Sequence, residues 1–319
     1  MIGIKVHNKS IVDKHYEAIL KYFNTKRIKY NYEKIDKWIE KLTDGEFNLE
    51  KTIRAEPKDL KILTKINEKS SYKGKIEDAS QDSDYSIGQY FIYTYKKFST
   101  RDDKHFNEIG YNALTLINHL GISVCPYCNR NFITNTKLID KNNNKYIKRT
   151  AQLDHFYPES KYPYLALSYY NLIPVCGSCN MIKSNNLVGV NPYEITNSDE
   201  HLIFDYNFGK SISESTVDTV FLSNEFKKNW TELGLEELYN SHNNYLVDLL
   251  YRILIYNSLY KKDLSTYFNK WSNGANSETE ITLTKEDFER IIYGNHYLEH
   301  NLNKHPLSKL TKDIVRQYS

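Results

Sequence analysis

The sequence predicts an α+β protein, and three observations carry that prediction. Apolar residues recur at helical spacing towards both ends of the chain. The middle holds short β-like segments around a turn rich in Asn and Lys. The only four cysteines among the 319 residues fall in that same middle as two Cys-x-x-Cys pairs. Three regions follow: a helical one over 1–120, a compact one over 121–195, and a second helical one over 196–319.

Taken in order, Tyr16, Ile19, Leu20 and Phe23 stand at i, i+3, i+4 and i+7, as do Ile35, Trp38, Ile39 and Leu42. Each set makes one apolar stripe on a helix, and Asp44-Gly45 ends the second. Ser70–Asp84 is polar and reads as an exposed loop. Ile109, Ala113, Leu116, Ile117 and Leu120 predict one helix closed by Gly121 as its C-cap. Phe132–Ile139 and Tyr146–Leu153 flank the turn at Asp140–Lys145, which predicts a hairpin. Asn171–Val175 reads as a short strand, Ser178–Asn186 as a short helix, and Asn191-Pro192-Tyr193 as the end of this unit. Beyond a strand at Leu202–Phe204 the helical period returns. Leu246, Leu249, Leu250, Ile253 and Leu254 form one stripe, and Leu264, Tyr267, Phe268 and Trp271 form another. Thr284 and Asp287 have the spacing of a capping box.

Composition narrows the function classes. Hydrophobic residues make up 40% and charged residues 26%, which suits a soluble globular chain rather than a disordered one. The opening MIGIKVHNKS has no apolar core of a secretory signal. The most apolar stretch, Tyr245–Tyr260, contains Asp248 and Arg252 and is too short to span a bilayer, so no membrane role is expected. Paired cysteines without export point to metal thiolates in a reducing cytoplasm. Net charge is +3, with an excess of +4 over 1–120, +4 over 121–195 and −5 over 196–319. A polyanion would therefore prefer the first two thirds. Gly209-Lys210-Ser211 has Phe204 where a phosphate loop needs its first glycine, so the chain is not itself a P-loop ATPase.

Cys125-Pro-Tyr-Cys128 and Cys176-Gly-Ser-Cys179 suit tetrahedral Zn²⁺, because two intervening residues let both sulfurs of a pair turn onto one ion. Four thiolates leave no open position, so the expected zinc is structural. The long gap over 129–175 must hold an insertion.

That insertion carries Asp154-His155 and Asn171, and the second cysteine pair runs directly into Asn180 and Lys183. In this order the residues resemble the HNH motif of the ββα-metal endonucleases, specifically the zinc-containing group whose Cys-x-x-Cys pairs bracket the motif. The resemblance covers Cys125 to Tyr193, under a quarter of the chain. It implies a ββα-metal core between the helical regions, with His155 as general base and Asp154 and Asn180 as ligands of a catalytic Mg²⁺ or Mn²⁺. Asn171 would brace the loop carrying His155, and Lys183 would reach the scissile phosphate. Asn180 stands where the family name has its second histidine. Tyr157, Tyr162, Tyr164, Tyr169 and Tyr170 crowd the intervening loop and are read as its packing, with stacking on nucleic-acid bases as the alternative.

The implied activity is metal-dependent cleavage of phosphodiester bonds in DNA. RNA, including tRNA, is the alternative substrate, and a catalytically silent zinc-stabilised nucleic-acid-binding scaffold is the alternative class. More weakly, the layout and the tail Lys304–Asp313 resemble nuclease subunits of bacterial antiphage systems of the Septu type. That implies a separate ATPase subunit docking on the acidic C-terminal third. His296-Tyr-Leu-Glu299-His300 matches the H-x-x-E-H peptidase pattern, but only 19 residues follow for the third ligand it requires. These histidines, with His305, are assigned to a helical surface or a partner interface.

Overall fold

Capping side chains start the helices that the apolar stripes then fill. The computed structural model describes residues 1–6, 8–25, 30–69, 84–274 and 284–318. The N-terminal region comprises α1 (Ser10–Phe23), α2 (Tyr32–Leu42), α3 (Leu49–Ile53), α4 (Pro57–Lys69), α5 (Asp84–Ser99), α6 (Lys104–Ile109) and α7 (Ala113–Leu120). The side chains of Asn31, Asn48, Asp103 and Asn112 accept from the first free backbone N–H groups of α2, α3, α6 and α7. Tyr16, Ile19, Phe23, Ile35, Trp38 and Ile39 are buried, as their stripes require. The single helix expected over 109–120 is two. Gly110 adopts a left-handed φ of 77° and closes α6, and Asn112 restarts the chain as α7. Gly121 closes α7 in the same conformation, φ 62°. The loop expected over Ser70–Asp84 lies, but for its last residue, outside the described residues.

The middle confirms an α+β chain with small two-stranded sheets and redraws the expected hairpin. Strands β1 (Thr136–Ile139) and β2 (Lys145–Lys148) pair antiparallel around a turn in which Asp140 accepts from the backbone of Asn142 and Asn144. Both strands are shorter than predicted. Phe132 bridges to Val124 instead, and Gln152–His155 forms a separate strand, β3, paired antiparallel with β4 (Leu172–Val175). The division has a physical reason: β1 and β2 are exposed on both faces, whereas β3 and β4 are buried along most of their length. Helix α8 (Gly177–Lys183) follows at once and stops at Ser184, earlier than the sequence suggested.

The C-terminal region opens on a hairpin, β5 (Leu202–Asn207) with β6 (Thr216–Phe221), of which the sequence reading saw only the first three residues. Gly209-Lys210-Ser211 lies in its connection. There follow α9 (Asn224–Glu232), α10 (Leu235–Asn240), α11 (Asn243–Ile255), α12 (Ser258–Gly274), α13 (Lys285–Tyr293) and α14 (Ser308–Arg316). Thr284 and Asp287 form the reciprocal capping box. Leu246, Leu249 and Leu250 are buried on α11, but Leu254 beyond them and Tyr267 on α12 are exposed.

One buried apolar cluster runs through all three regions. The N-terminal helices grip the segment between His155 and Asn171. Tyr164 donates to the Leu63 carbonyl at 2.8 Å, and Ser168 to the Thr52 carbonyl at 2.7 Å. From the other side, α14 carries Lys309 and Lys312, fully buried yet paired with Asp199, Asp313 and Glu299. Burial raises the Asp199 carboxyl, but the ammonium groups of Lys312 and Lys309 outweigh that and hold it well below the usual range. Such charges are tolerable inside a protein only in company.

His15 on α1 also holds that segment, its Nε2 lying 2.8 Å from the Leu167 carbonyl. Burial pushes its pKa from the ordinary 6.5 down to about 4, against the pull of that carbonyl. An unfolded chain takes up the proton first, so stability is full above pH 6.5 and falls as the pH drops towards 4. His155, pushed down to about 4 for the same reason, adds to the effect. Each is worth roughly 3 kcal/mol once the pH reaches the folded value. We expect His15→Gln to melt at a lower temperature at pH 7 but to lose less on acidification, as checked by thermal melts across pH 7 to 4.5.

Candidate functional site

The two cysteine pairs are brought together by two different turns. In the first, Val124 and Phe132 bridge, Asn129 donates its N–H to the Cys125 carbonyl at 2.8 Å, and Cys125 donates to the Asn131 carbonyl at 2.9 Å. Asn129 reverses the chain in the left-handed region, φ 51°, a conformation asparagine tolerates better than most residues. In the second, Cys176 follows β4 directly and stands at the N-cap position of α8, which puts Cys179 on the first turn of the helix. All four sulfurs lie within 4.8 Å of one another and are buried. Around a tetrahedral ion with bonds of about 2.3 Å, sulfurs stand roughly 3.8 Å apart. Cys128 and Cys176 are already at 4.0 Å.

The surroundings suit thiolates. The Arg130 N–H donates to the Cys128 sulfur at 3.4 Å, and the Asn131 amide donates to the Cys176 sulfur at 3.3 Å. Burial pushes the Cys125 thiol up, so four ionised sulfurs at neutral pH need a cation among them. The set could hold a metal ion such as zinc. Among the described residues no other group of three or more His, Cys, Asp or Glu side chains is close enough to share an ion.

The second part of the site is β3, β4 and α8. Side chains alternate along β3, so Gln152 and Asp154 face α8 while Leu153 and His155 face away. Asp154 is nearly enclosed. Tyr127, from inside the first cysteine pair, donates its hydroxyl to Oδ2 at 2.7 Å, and Lys183 donates to Oδ1 at 3.1 Å. Burial pushes Asp154 up to about 6, with Lys183 and Tyr127 pulling the other way. Lys183 also donates to the His155 carbonyl at 2.7 Å and is fully buried. This corrects the expectation that it reaches a phosphate: its ammonium is spent inside, locking α8 to β3. Asn180, one turn earlier on α8 and partly exposed, donates its amide to Gln152 at 2.6 Å.

On the opposite face, the Nε2 of His155 lies 3.0 Å from the Ala166 carbonyl. A carbonyl only accepts, so Nε2 carries the proton and Nδ1 keeps its lone pair. Glu159 stands 3.6 Å from Nδ1, and Tyr95 of α5 meets the ring edge-on at 4.3 Å. Asn171 is wholly buried. It accepts from the Tyr157 N–H at 2.7 Å and donates to the carbonyls of Tyr157 and Leu165 at 3.1 and 2.9 Å, tying together both ends of the loop after His155. Of the loop tyrosines, Tyr162, Tyr164, Tyr169 and Tyr170 are buried packing and Tyr157 is half-buried.

Tyr127, Tyr95, Glu159 and Gln152 escaped the sequence reading. Tyr127 and Glu159 had a signal in their spacing, lying inside a cysteine pair and four residues past His155. Tyr95 and Gln152 had none. At the C-terminus, Glu299 accepts from Ser198 and Lys312, and His296 lies in a non-helical segment. The peptidase pattern therefore builds no metal site. No described helix is long and apolar enough to cross a membrane.

Two outcomes are expected. Metal analysis should find one zinc-like ion per chain, and Cys176→Ser should lose it and melt at a lower temperature. Lys183→Ala should cost about 3–5 kcal/mol in denaturant melts, because it strands a buried carboxylate. Lys183→Met with Asp154→Asn should recover part of that loss, which a double-mutant cycle measures.

Comparison with protein-family models, curated proteins and solved structures yields no match. The functional reading therefore rests on the geometry of the site itself.

Proposed function

We propose that the chain is a metal-dependent endonuclease of the HNH kind, hydrolysing phosphodiester bonds in DNA. The observation that supports this best is the antiparallel β3–β4 ribbon with α8 against it, which carries Asp154 on the α8 side and the adjacent His155 on the other, with Asn180 on α8, next to a cysteine cluster able to hold zinc.

His155 is the base. With Nε2 held by the Ala166 carbonyl, Nδ1 is the nitrogen that takes a proton from the attacking water. Burial, which lowers its pKa to about 4, keeps the ring neutral at pH 7 and makes it a weak base, and Glu159, 3.6 Å from Nδ1, is the carboxyl placed to support it as it takes the proton. Asn171, by fixing Tyr157 and Leu165, holds the loop that presents the Ala166 carbonyl. The water oxygen bonds to phosphorus as its proton passes to Nδ1, the bond from phosphorus to the 3′ oxygen breaks, and that oxygen takes a proton from solvent, leaving 5′-phosphate and 3′-hydroxyl ends.

Asp154 and Asn180 would hold the catalytic Mg²⁺ or Mn²⁺. One carboxylate and one amide oxygen suit a hard ion that keeps several waters. Asp154 titrates near 6 and is anionic above that, and each of its oxygens has lone-pair capacity beyond the single bond it accepts from Tyr127 or Lys183. When bound, such an ion neutralises charge on the phosphate and the leaving oxygen. A separate ATPase subunit would find an acidic region with exposed apolar side chains on α11 and α12, among them Leu254, Ile255 and Leu259.

The buried Lys183–Asp154 pair favours a second reading, in which the unit is a silent zinc-stapled scaffold and the pair is purely structural. Nicking of supercoiled plasmid by the purified chain in Mg²⁺ or Mn²⁺ separates the two. The nuclease reading expects nicking that His155→Ala lowers by about 10²-fold or more. Equal activity in both proteins would remove His155 as the base. Absence of cutting on plasmid and on tRNA alike would leave the scaffold.

A further inference from the structure

Beyond Lys148 the chain passes through Arg149 and turns into β3. The inner side of this corner, facing α5 and the start of α7, encloses a cleft of about 350 Å³. Arg101, Lys148 and Arg149 line it together with Tyr146, and no carboxylate does.

Arg149 is the group in want of a ligand. Its Nη2 donates to the carbonyl and hydroxyl of Ser99 at 3.3 and 2.9 Å, but its Nη1 is buried with no hydrogen-bond partner among the described residues. A guanidinium stays charged and presents planar, paired donors, so a buried unpaired edge is costly until an anion meets it. Arg101 lies 4.3 Å over the Tyr146 ring and shares its charge with Asp102 at 2.8 and 2.9 Å, which leaves Arg149 and Lys148 as the less compensated cations.

One helix links this cleft to His155. Tyr95, against the His155 ring, and Ser99, which holds Arg149, are i and i+4 on α5. They are one turn apart, about 6 Å along the axis.

We propose that the cleft seats a backbone phosphate of a nucleic-acid strand, flanking the phosphate attacked beside His155. The exposed Lys148 ammonium and the guanidinium of Arg149 are its contacts, the latter turning its unpaired Nη1 edge towards the cleft when the strand binds, and Tyr146 is a wall for the adjoining base. The location relative to the cut rests on the nuclease reading; the phosphate seat itself rests on the cleft. Cations without an acid, beside an aromatic ring, are what a charged backbone with flat bases requires.

The test uses the full zinc-loaded chain in a His155→Ala background, so that substrate survives, and measures fluorescence anisotropy of labelled single-stranded and duplex oligonucleotides between 50 and 200 mM salt. Arg149→Gln should weaken binding about tenfold and lower the slope of log affinity against log salt by about 0.7 for single strands or 0.9 for duplex. Arg149→Lys should keep the slope. Lys148→Gln, at an exposed position that does not threaten folding, should act in the same direction as Arg149→Gln. Lys262→Gln on α12 should change nothing.

Unchanged affinity and slope in both Arg149→Gln and Lys148→Gln would overturn the proposal. So would an equal loss for adenosine monophosphate or inorganic phosphate, which would make the ligand a free phosphate rather than a strand. Plasmid nicking runs alongside. His155-dependent cutting with no effect of Arg149→Gln on binding would sink the phosphate seat and leave the nuclease standing. Arg149-dependent binding without His155-dependent cutting would do the reverse.

Discussion

Four sulfurs buried within one van der Waals shell cannot all be ionised unless a cation sits among them, and most of the central unit hangs on that constraint. The turn at 125–131 meets the end of β4 and the first turn of α8 there. Because Cys176 and Cys179 fix where α8 begins, they also fix where Asn180 and Lys183 arrive over β3. Tyr127, trapped between Cys125 and Cys128, carries the same constraint to Asp154 through its hydroxyl. The cysteine knot and the Asp154 environment are therefore one mechanical object, and disturbing either is felt by the other.

The helical regions divide the remaining work. The N-terminal helices touch the segment over 156–171, so the carbonyl that orients His155 is positioned by residues more than a hundred places away. The C-terminal region grips the first cysteine turn. Tyr239 donates to the Cys128 carbonyl at 2.6 Å, and Asn129 is clamped by α14 and the segment before it. Beyond the Lys309–Asp313 pair within α14, the buried lysines reach Asp199 and Glu299 of other segments, which gives the helix one seat rather than a choice of several.

Much of this was legible in the sequence where the signal is local. Stripes such as Ile35-Trp38-Ile39 and the box at Thr284–Asp287 need only neighbours along one helix, and two Cys-x-x-Cys pairs announce their own convergence. What failed depended on distant partners. Whether Tyr146–Leu153 is one strand or two is settled by Leu172–Val175, which competes for its second half. Gly110 broke a helix that apolar spacing alone joined. Lys183 looked like a surface cation because nothing local says that Asp154 lies beneath it. Arg149 carried no motif at all, since its isolation comes from α5 folding over it.

The clamp on Asn129 sets a condition on timing. Its side chain donates to the Leu302 carbonyl and accepts from the Lys309 N–H, contacts that span 173 and 180 residues. A chain leaving the ribosome can assemble the cysteine turn early, but it cannot close this clamp until residues beyond 309 have emerged. Contacts of such sequence separation form slowly. The unit around Asp154 and His155 would thus stay incompletely braced until translation had passed residue 309, well after the unit itself had emerged.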